Sequence, residues 1–147
     1  MLDCWDRHGR LSVAGILSLA PYCRRVGLYF TVQRSNVTAE GVEVLLRAVQ
    51  GGLRRGVIVV WDRWAVHRKA AKALAGDDRF WIEWLPAYAP ELNPVDKLWG
   101  HTKYDDLANY VADHLLDLEL ELDWSIQQTR QRPHLLRSFF YAAKLQL

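Results

Sequence analysis

Residues 57–62 read Val57-Ile58-Val59-Val60-Trp61-Asp62, an apolar run rich in β-branched side chains that ends in a carboxylate. Such a run is typical of a buried strand in a parallel sheet, and its last residue lies at the carboxyl edge where open α/β sheets place their sites. A second apolar run at residues 80–85 predicts a neighbouring strand. This stretch therefore predicts an α/β fold and makes Asp62 the first candidate for chemistry.

The loop after the second strand supplies another acid, Asp96. Pro86 and Pro90 exclude a central strand or a helix interior, so the chain turns over the sheet edge in a rigid loop. Asn93 is a good N-cap and Pro94 suits the first helical position, which puts Asp96 in the first turn of a helix. The carboxylate is therefore expected to lie over the strand ends.

Asp62 and Asp96 are thus predicted to approach each other. Two carboxylates brought together repel unless a cation bridges them, and a set of oxygen ligands suits Mg²⁺ or Mn²⁺. Taken singly, each acid also has a structural explanation, because aspartate is common in turns and caps and in the first turn of helices. The long, special loop between the two acids favours the functional interpretation.

The string from Trp84 to Lys103 contains Trp-Leu-Pro-Ala-Tyr-Ala-Pro-Glu-Leu-Asn-Pro-Val-Asp-Lys-Leu-Trp and then the lysine. It resembles the signature of the DDE-superfamily transposases, specifically the bacterial insertion-sequence relatives of mariner. Their motif is a strand ending in Asp-Asn with a later His, then Leu-Pro-x-Tyr-Ser-Pro-x-Leu-Asn-Pro-x-Glu-x-x-Trp…Lys. Asp62 matches the second catalytic acid, His67 the histidine and Asp96 the third acid. Arg63 replaces the asparagine, and aspartate replaces glutamate at 96, as in mariner itself.

The resemblance implies a ribonuclease-H-like fold, a mixed sheet flanked by helices, with a catalytic domain at residues 1–110 and a helical extension at 111–147. It implies DNA strand cleavage and strand transfer with Mg²⁺ or Mn²⁺, two ions in the complete enzyme, held in part by Asp62 and Asp96. Expected contacts to double-stranded DNA come from Arg63, His67, Arg68, Lys69 and Lys103. For His67 an edge position without DNA contact is an equal alternative. Phosphate contacts by Arg63, Arg68 and Lys69, and also by Lys72, are weighed equally against solvated surface charges.

The family's first strand, which lies at the centre of the sheet and carries the first catalytic aspartate, has no evident counterpart. Residues 1–10 are polar and are expected to be irregular, and neither Asp3 nor Asp6 is assigned as that acid. A sheet without its central strand must pair the flanking strands directly or leave their edges bare. We therefore expect a poorly stable carboxyl-terminal part of a transposase, inactive alone, that works with an upstream half or with intact transposase. The alternative is a non-catalytic DNA-binding or subunit-interaction remnant that interferes with intact transposase.

Composition narrows the class of protein. The chain has 147 residues, 50% hydrophobic content and a net charge of +2. The basic excess is concentrated before residue 105, where 15 Lys and Arg face 10 Asp and Glu, and this is a weak indication of nucleic-acid binding. No apolar run approaches the roughly 20 residues of a membrane span, and two cysteines give no disulfide framework, which favours the cytoplasm.

Periodicity predicts the remaining elements. A hairpin is expected from residues 11–19 and 26–32, followed by a helix from Thr38 that Gly51-Gly52 end. Residues 116–122 alternate like a strand but also fit a helical stripe, and helix is favoured because leucine and glutamate are helix formers. Further helices are expected at about residues 68–74, 94–107 and 134–144, the last with Phe139 and Phe140 directed inward.

Overall fold

The structure is a computed structural model that describes the backbone of residues 2–6, 9–23 and 25–147 and the side chains of residues 2, 9–22 and 25–147. The chain combines strands and helices, as the sequence predicts for an α/β fold, and the two alternate from β3 to α3. In chain order the elements are β1 (Leu2–Asp6), β2 (Gly9–Leu19), β3 (Val26–Gln33), α1 (Ala39–Leu53), β4 (Val57–Trp61), α2 (Ala65–Leu74), β5 (Phe80–Trp84), α3 (Pro94–His101), α4 (Leu115–Arg130) and α5 (Pro133–Ala142).

The strands form two sheets. In the first, β2 lies between β1 and β3 and pairs antiparallel with both, whereas β4 and β5 form a parallel pair in the register Val57↔Phe80 to Trp61↔Trp84. Within the described residues no ladder of hydrogen bonds joins β4 to the first sheet. Neither arrangement expected for an interrupted sheet is found among these residues: β4 does not pair with β2, and the edge of β2 is not bare because β1 pairs with it.

Two predictions about the elements are wrong. Residues 2–6, expected to be irregular, form β1 because their backbone pairs with β2, from Leu2↔Val13 to Asp6↔Gly9, and this pairing outweighs their polar composition. Helix α1 continues through Gly51-Gly52 and ends only where Arg54 adopts a left-handed conformation, with φ 53°. The helix predicted at about residues 94–107 is confirmed, because α3 ends at His101 and passes directly into one π-helical turn, Thr102–Asp106.

The other predicted elements are confirmed, including the hairpin of β2 and β3 and the helical state of α4. Helix α2 begins at Ala65, three residues before the predicted start. Both phenylalanines of α5 are buried, as expected. No helix of the described residues is long and apolar enough to cross a membrane.

Strand β2 packs against helices on both of its faces because alternate side chains of a strand point to opposite sides. Leu11 and Val13 are fully buried in a core built with α3, α4 and α5. Ala14 and Ile16 face a second core, which contains α1, α2 and the β4–β5 pair. This strand is thus the layer that connects the two halves of the molecule.

The outer face of the β4–β5 pair lacks such a cover among the described residues. Ile58 and Val60 of β4 and Trp81 of β5 are all more than half exposed on this face. The indole N–H of Trp81 donates a hydrogen bond to the Glu83 carboxylate at 2.7 Å, which satisfies its polar atom at the surface. A buried parallel pair would have apolar contacts on both faces, so this face is an exposed apolar surface.

Trp99 fixes α3 on the sheet by packing directly over Gly15 of β2. A Cβ atom at position 15 would lie 2.6 Å from Trp99 Cζ2 and 2.7 Å from Cη2, closer than carbon atoms can approach. Leu98, the preceding residue of α3, is also fully buried. Glycine at position 15 is therefore required for the close approach of the helix that carries Asp96.

We predict that Gly15→Ala destabilises the fold by about 1–3 kcal/mol, because the indole must move away from the sheet. Gly51→Ala is the matched control: a Cβ there meets nothing within 4 Å, and alanine favours the helix by about 0.5–1 kcal/mol. Urea unfolding of both variants measures the difference. Equal stability of the two variants would show that Trp99 does not need the space at Gly15.

Candidate active site

Asp62 follows β4 directly and lies at the carboxyl edge of the parallel pair, as predicted. Its Oδ1 accepts a hydrogen bond from the Trp64 backbone N–H at 2.9 Å and lies 2.7 Å from His67 Nδ1. An ionised carboxylate can only accept, so Nδ1–H of the imidazole is the donor in this contact. Oδ2 has no hydrogen-bond partner among the described residues, and the Asp62 side chain is 50% exposed. One carboxylate oxygen is therefore fixed and the other is available to a ligand.

His67 is held by aromatic side chains as well as by Asp62. Its ring stacks on Trp61, with centroids 4.8 Å apart and an 11° angle between planes, and it meets the edge of Trp64 at 5.2 Å. Only 19% of the His67 side chain is exposed. These contacts place the imidazole where it orients the carboxylate of Asp62.

Asp96 lies in the first turn of α3, where the N-cap prediction put it. The Asn93 side chain accepts a hydrogen bond from Val95 N–H at 3.1 Å, and Pro94 is the first helical residue. Before this cap, Pro90–Leu92 form a short 3-10 turn, which completes the rigid loop that the prolines predict. Local capping thus fixes the start of the helix and, with it, the position of the acid.

The structure brings Asp62 and Asp96 to one cavity of about 380 Å³, between the end of β4, the proline-rich loop and α3. Burial raises the pKa of Asp96 above its ordinary value, and the negative charge of Asp62 raises it further. Asp96 keeps part of its surface in solvent, which screens this repulsion. The two acids therefore interact as like charges across a shared cavity.

The donor set fits a hard divalent cation. It consists of the carboxylate oxygens of Asp62 and Asp96, and hydrogen bonds fix Oδ1 of Asp62 while leaving its Oδ2 available. A cation between the two acids would neutralise the repulsion that raises the pKa of Asp96. In the part of the chain that the structure describes, no group of three or more His, Cys, Asp or Glu side chains is placed to hold a metal. Asp62 and Asp96 could therefore supply only part of the ligand set of such a cation.

Of the other residues predicted to contact DNA, some line a cavity and others do not. Arg63 lines the acidic cavity, and its guanidinium lies 5.9 Å from the centroid of the Trp84 ring. Arg68 lines a second, adjacent cavity. Lys69 lines neither cavity, and neither does Lys103, whose ammonium lies 5.3 Å from the Tyr104 ring centroid in the π-helical turn.

Sequence reasoning missed Tyr88 as a residue of the site. Its side chain is fully exposed at the cavity, and its φ of 59° is unusual for a residue other than glycine. Conformations of this kind persist where the surrounding structure fixes them and are concentrated at functional sites. The proline on either side, two residues away at 86 and 90, is the one local signal in the sequence for a constrained loop.

The model of one protein family matches residues 5–116, and that family is described as DDE superfamily endonuclease. The chain belongs to this family. The match covers more than half of the chain and includes β4, the loop and α3, so it contains both acids. The resemblance and the ribonuclease-H-like fold expected from the sequence are thereby confirmed, whereas no curated protein sequence matches the chain.

We predict that Asp96→Asn raises stability at neutral pH in EDTA. A carboxyl group whose pKa is raised by folding stabilises the fold below its unfolded pKa, and this stabilisation is lost as the pH rises through the folded pKa. The ionised acid thus opposes folding at neutral pH, by up to about 1 kcal/mol after solvent screening. Added Mg²⁺ should raise the melting temperature of the parent chain more than that of the variant.

Thermal unfolding monitored at acidic and neutral pH, with EDTA or Mg²⁺, measures this effect. Asp123→Asn, an exposed position of α4, is the matched control and should follow the parent chain under all conditions. An Asp96→Asn chain less stable than its parent at neutral pH would contradict the repulsion between the two acids.

Proposed function

We propose that the chain is the catalytic part of a transposase that cleaves and joins DNA strands at the ends of a mobile element. The observation that supports this most directly is the shared cavity of Asp62 and Asp96, in a chain of the DDE superfamily endonucleases. Membership of that family implies a nuclease that acts on DNA. Transposition is the finer proposal, and it rests on the resemblance of the loop motif to that of the mariner-related elements.

Asp62 and Asp96 are the proposed catalytic acids and the proposed ligands of Mg²⁺ or Mn²⁺. When bound, such ions activate the attacking water or 3′-hydroxyl and stabilise the leaving oxygen of an in-line displacement at phosphorus. Asp62 would offer Oδ2, since Oδ1 is already engaged by Trp64 and His67. Asp96 would offer its carboxylate from the opposite wall of the cavity, and Arg63 at the same cavity would bind the phosphate.

His67 acts in this proposal through Asp62 and is a positioning residue. Its Nδ1–H fixes one carboxylate oxygen, and the two tryptophans fix the ring. Partners that orient a metal-binding carboxylate commonly change metal affinity 10- to 100-fold when removed. A DNA contact by the far side of the ring is compatible with this role, and so is one by Lys103 from its exposed turn.

We further propose that cleavage requires a third carboxylate from another chain, because residues 9–147 supply only two acids to the cavity and neither Asp3 nor Asp6 is assigned as the first acid. Groups that act as a catalytic unit lose most of their effect when one member is absent, often about 10³-fold or more. The 147-residue chain alone is then expected to bind DNA and metal weakly and to be inactive. An upstream transposase half or intact transposase would supply the missing acid.

The test is nicking of supercoiled plasmid with Mg²⁺ or Mn²⁺, by the chain alone and after addition of an inactive full-length relative that retains its first acid. We expect nicking only in the mixture, and its loss with Asp62→Asn or Asp96→Asn but not with Asp123→Asn. Nicking that persists in EDTA or in the Asp62→Asn/Asp96→Asn double variant would refute the assignment of the site.

A pair of variants tests the role of His67. His67→Asn retains an N–H donor near the position of Nδ1, whereas His67→Phe retains a stacking ring without the donor. We predict that Mn²⁺ affinity, measured by electron paramagnetic resonance, falls about 10- to 100-fold in His67→Phe and less in His67→Asn. Equal losses in both variants would show that the hydrogen bond to Asp62 does not matter for metal binding.

A second candidate function is a non-catalytic module that binds DNA or another subunit and interferes with intact transposase. The exposed apolar face of β4 and β5 favours it, because such surfaces mark protein interfaces. A second mixing experiment, with an active full-length transposase in place of the inactive relative, separates the two functions. If the chain is such a module, it should inhibit the active transposase in proportion to its concentration, even when it carries Asp62→Asn.

A further inference from the structure

A second cavity of about 490 Å³ lies between α2 and β5, beside the acidic one. Its floor is apolar and includes Ile82 and Trp84, both half-buried, and its rim carries the cations Arg63, Arg68 and Lys72. No carboxylate is among its described lining residues. Arg63 lines both cavities, so the groove is continuous with the proposed active site.

The three rim cations are not used by the fold. None of them forms an ion pair with a carboxylate of the described residues, and Arg63 lies instead over the face of Trp84. Two nearby arginines are used differently: Arg47 and Arg79 both bind Asp77, at 2.7 and 2.6 Å, and lower its pKa. The groove therefore keeps its positive charge available to a ligand, while the structural arginines do not.

Helix geometry separates the cations of α2. Arg68 and Lys72 are four residues apart and so lie on one face, about one turn from each other. Lys69 points about 100° away from Arg68 around the helix axis and lines neither cavity. All three side chains are exposed, so exposure does not distinguish them, whereas their direction does.

We propose that this groove binds an unpaired DNA strand that continues from the acidic cavity, with its phosphates on Arg63, Arg68 and Lys72. This proposal rests on the proposed function, and it adds the path that the DNA strand follows away from the acidic cavity. An apolar floor under a cationic rim fits single-stranded nucleic acid, which presents both phosphates and the apolar faces of unpaired bases. A duplex keeps its bases stacked inside and offers only its backbone, so the floor would gain no contact.

The test is fluorescence anisotropy of labelled oligothymidylate with the 147-residue chain in EDTA over a series of salt concentrations. Each lost phosphate contact lowers the slope of log K against log salt by about 0.7 for single strands. We expect Lys72→Gln and Arg68→Gln each to lower the slope by about this amount and to weaken binding. Lys69→Gln changes the net charge equally and should change neither quantity.

A duplex of matched length should bind without this difference between Lys72→Gln and Lys69→Gln. Three outcomes would each refute strand binding in the groove. They are equal effects of the two lysine variants on oligothymidylate binding, no effect of either variant, and no binding by the parent chain at low salt. Circular dichroism and melting temperature check that the variants fold alike. Because EDTA removes metal chemistry, a failure of the nicking experiment is a separate result and refutes the proposed function alone.

Discussion

The contact of Trp99 with Gly15 sets the geometry on which the site depends. No ladder connects β4 to the first sheet in the described residues, so hydrogen bonds between strands do not fix Asp62 relative to α3. The position of Asp96 instead depends on how closely α3 packs on β2. Packed interiors tolerate little change in volume, so the absence of a side chain at position 15 controls the distance between β2 and the helix that carries Asp96.

At the shared cavity, the stability of the fold and the proposed metal binding make opposite demands on Asp96. Asp96 stands where folding alone would favour a neutral side chain, because burial and the charge of Asp62 both raise its pKa. The same repulsion would favour binding of a cation at the proposed site, since neutralising two converging charges is more favourable than neutralising one. An ionised acid such as Asp96, which lowers the stability of the fold when no metal is bound, is the kind of residue that a metal-binding site requires.

Much of this arrangement follows from local sequence signals. The β-branched run that ends in Asp62 and the Asn93-Pro94 cap act over a few residues, so both acids could be placed from the sequence. Strand β1 could not be predicted in this way, because the polar residues 2–6 adopt the strand conformation only through pairing with β2. The same limit applies to Tyr88 and to the different directions of Lys69 and Lys72, which depend on how the loop and α2 lie against β5.

Charge at the site is decided by local pairing and not by the net charge of +2. Asp77 accepts from two arginines and removes their charge from the neighbourhood of β5, while His67 and Trp64 take one oxygen of Asp62 and leave the other. Arg63 lies between the acidic cavity and the cationic groove, and within the described residues its one partner is the aromatic face of Trp84. A phosphate bound there would meet a guanidinium whose N–H donors are not committed to the fold, which is the condition for strong charge-assisted binding. The fold thus keeps unpaired charges of both signs side by side, and a phosphodiester with its metal is a ligand that satisfies both.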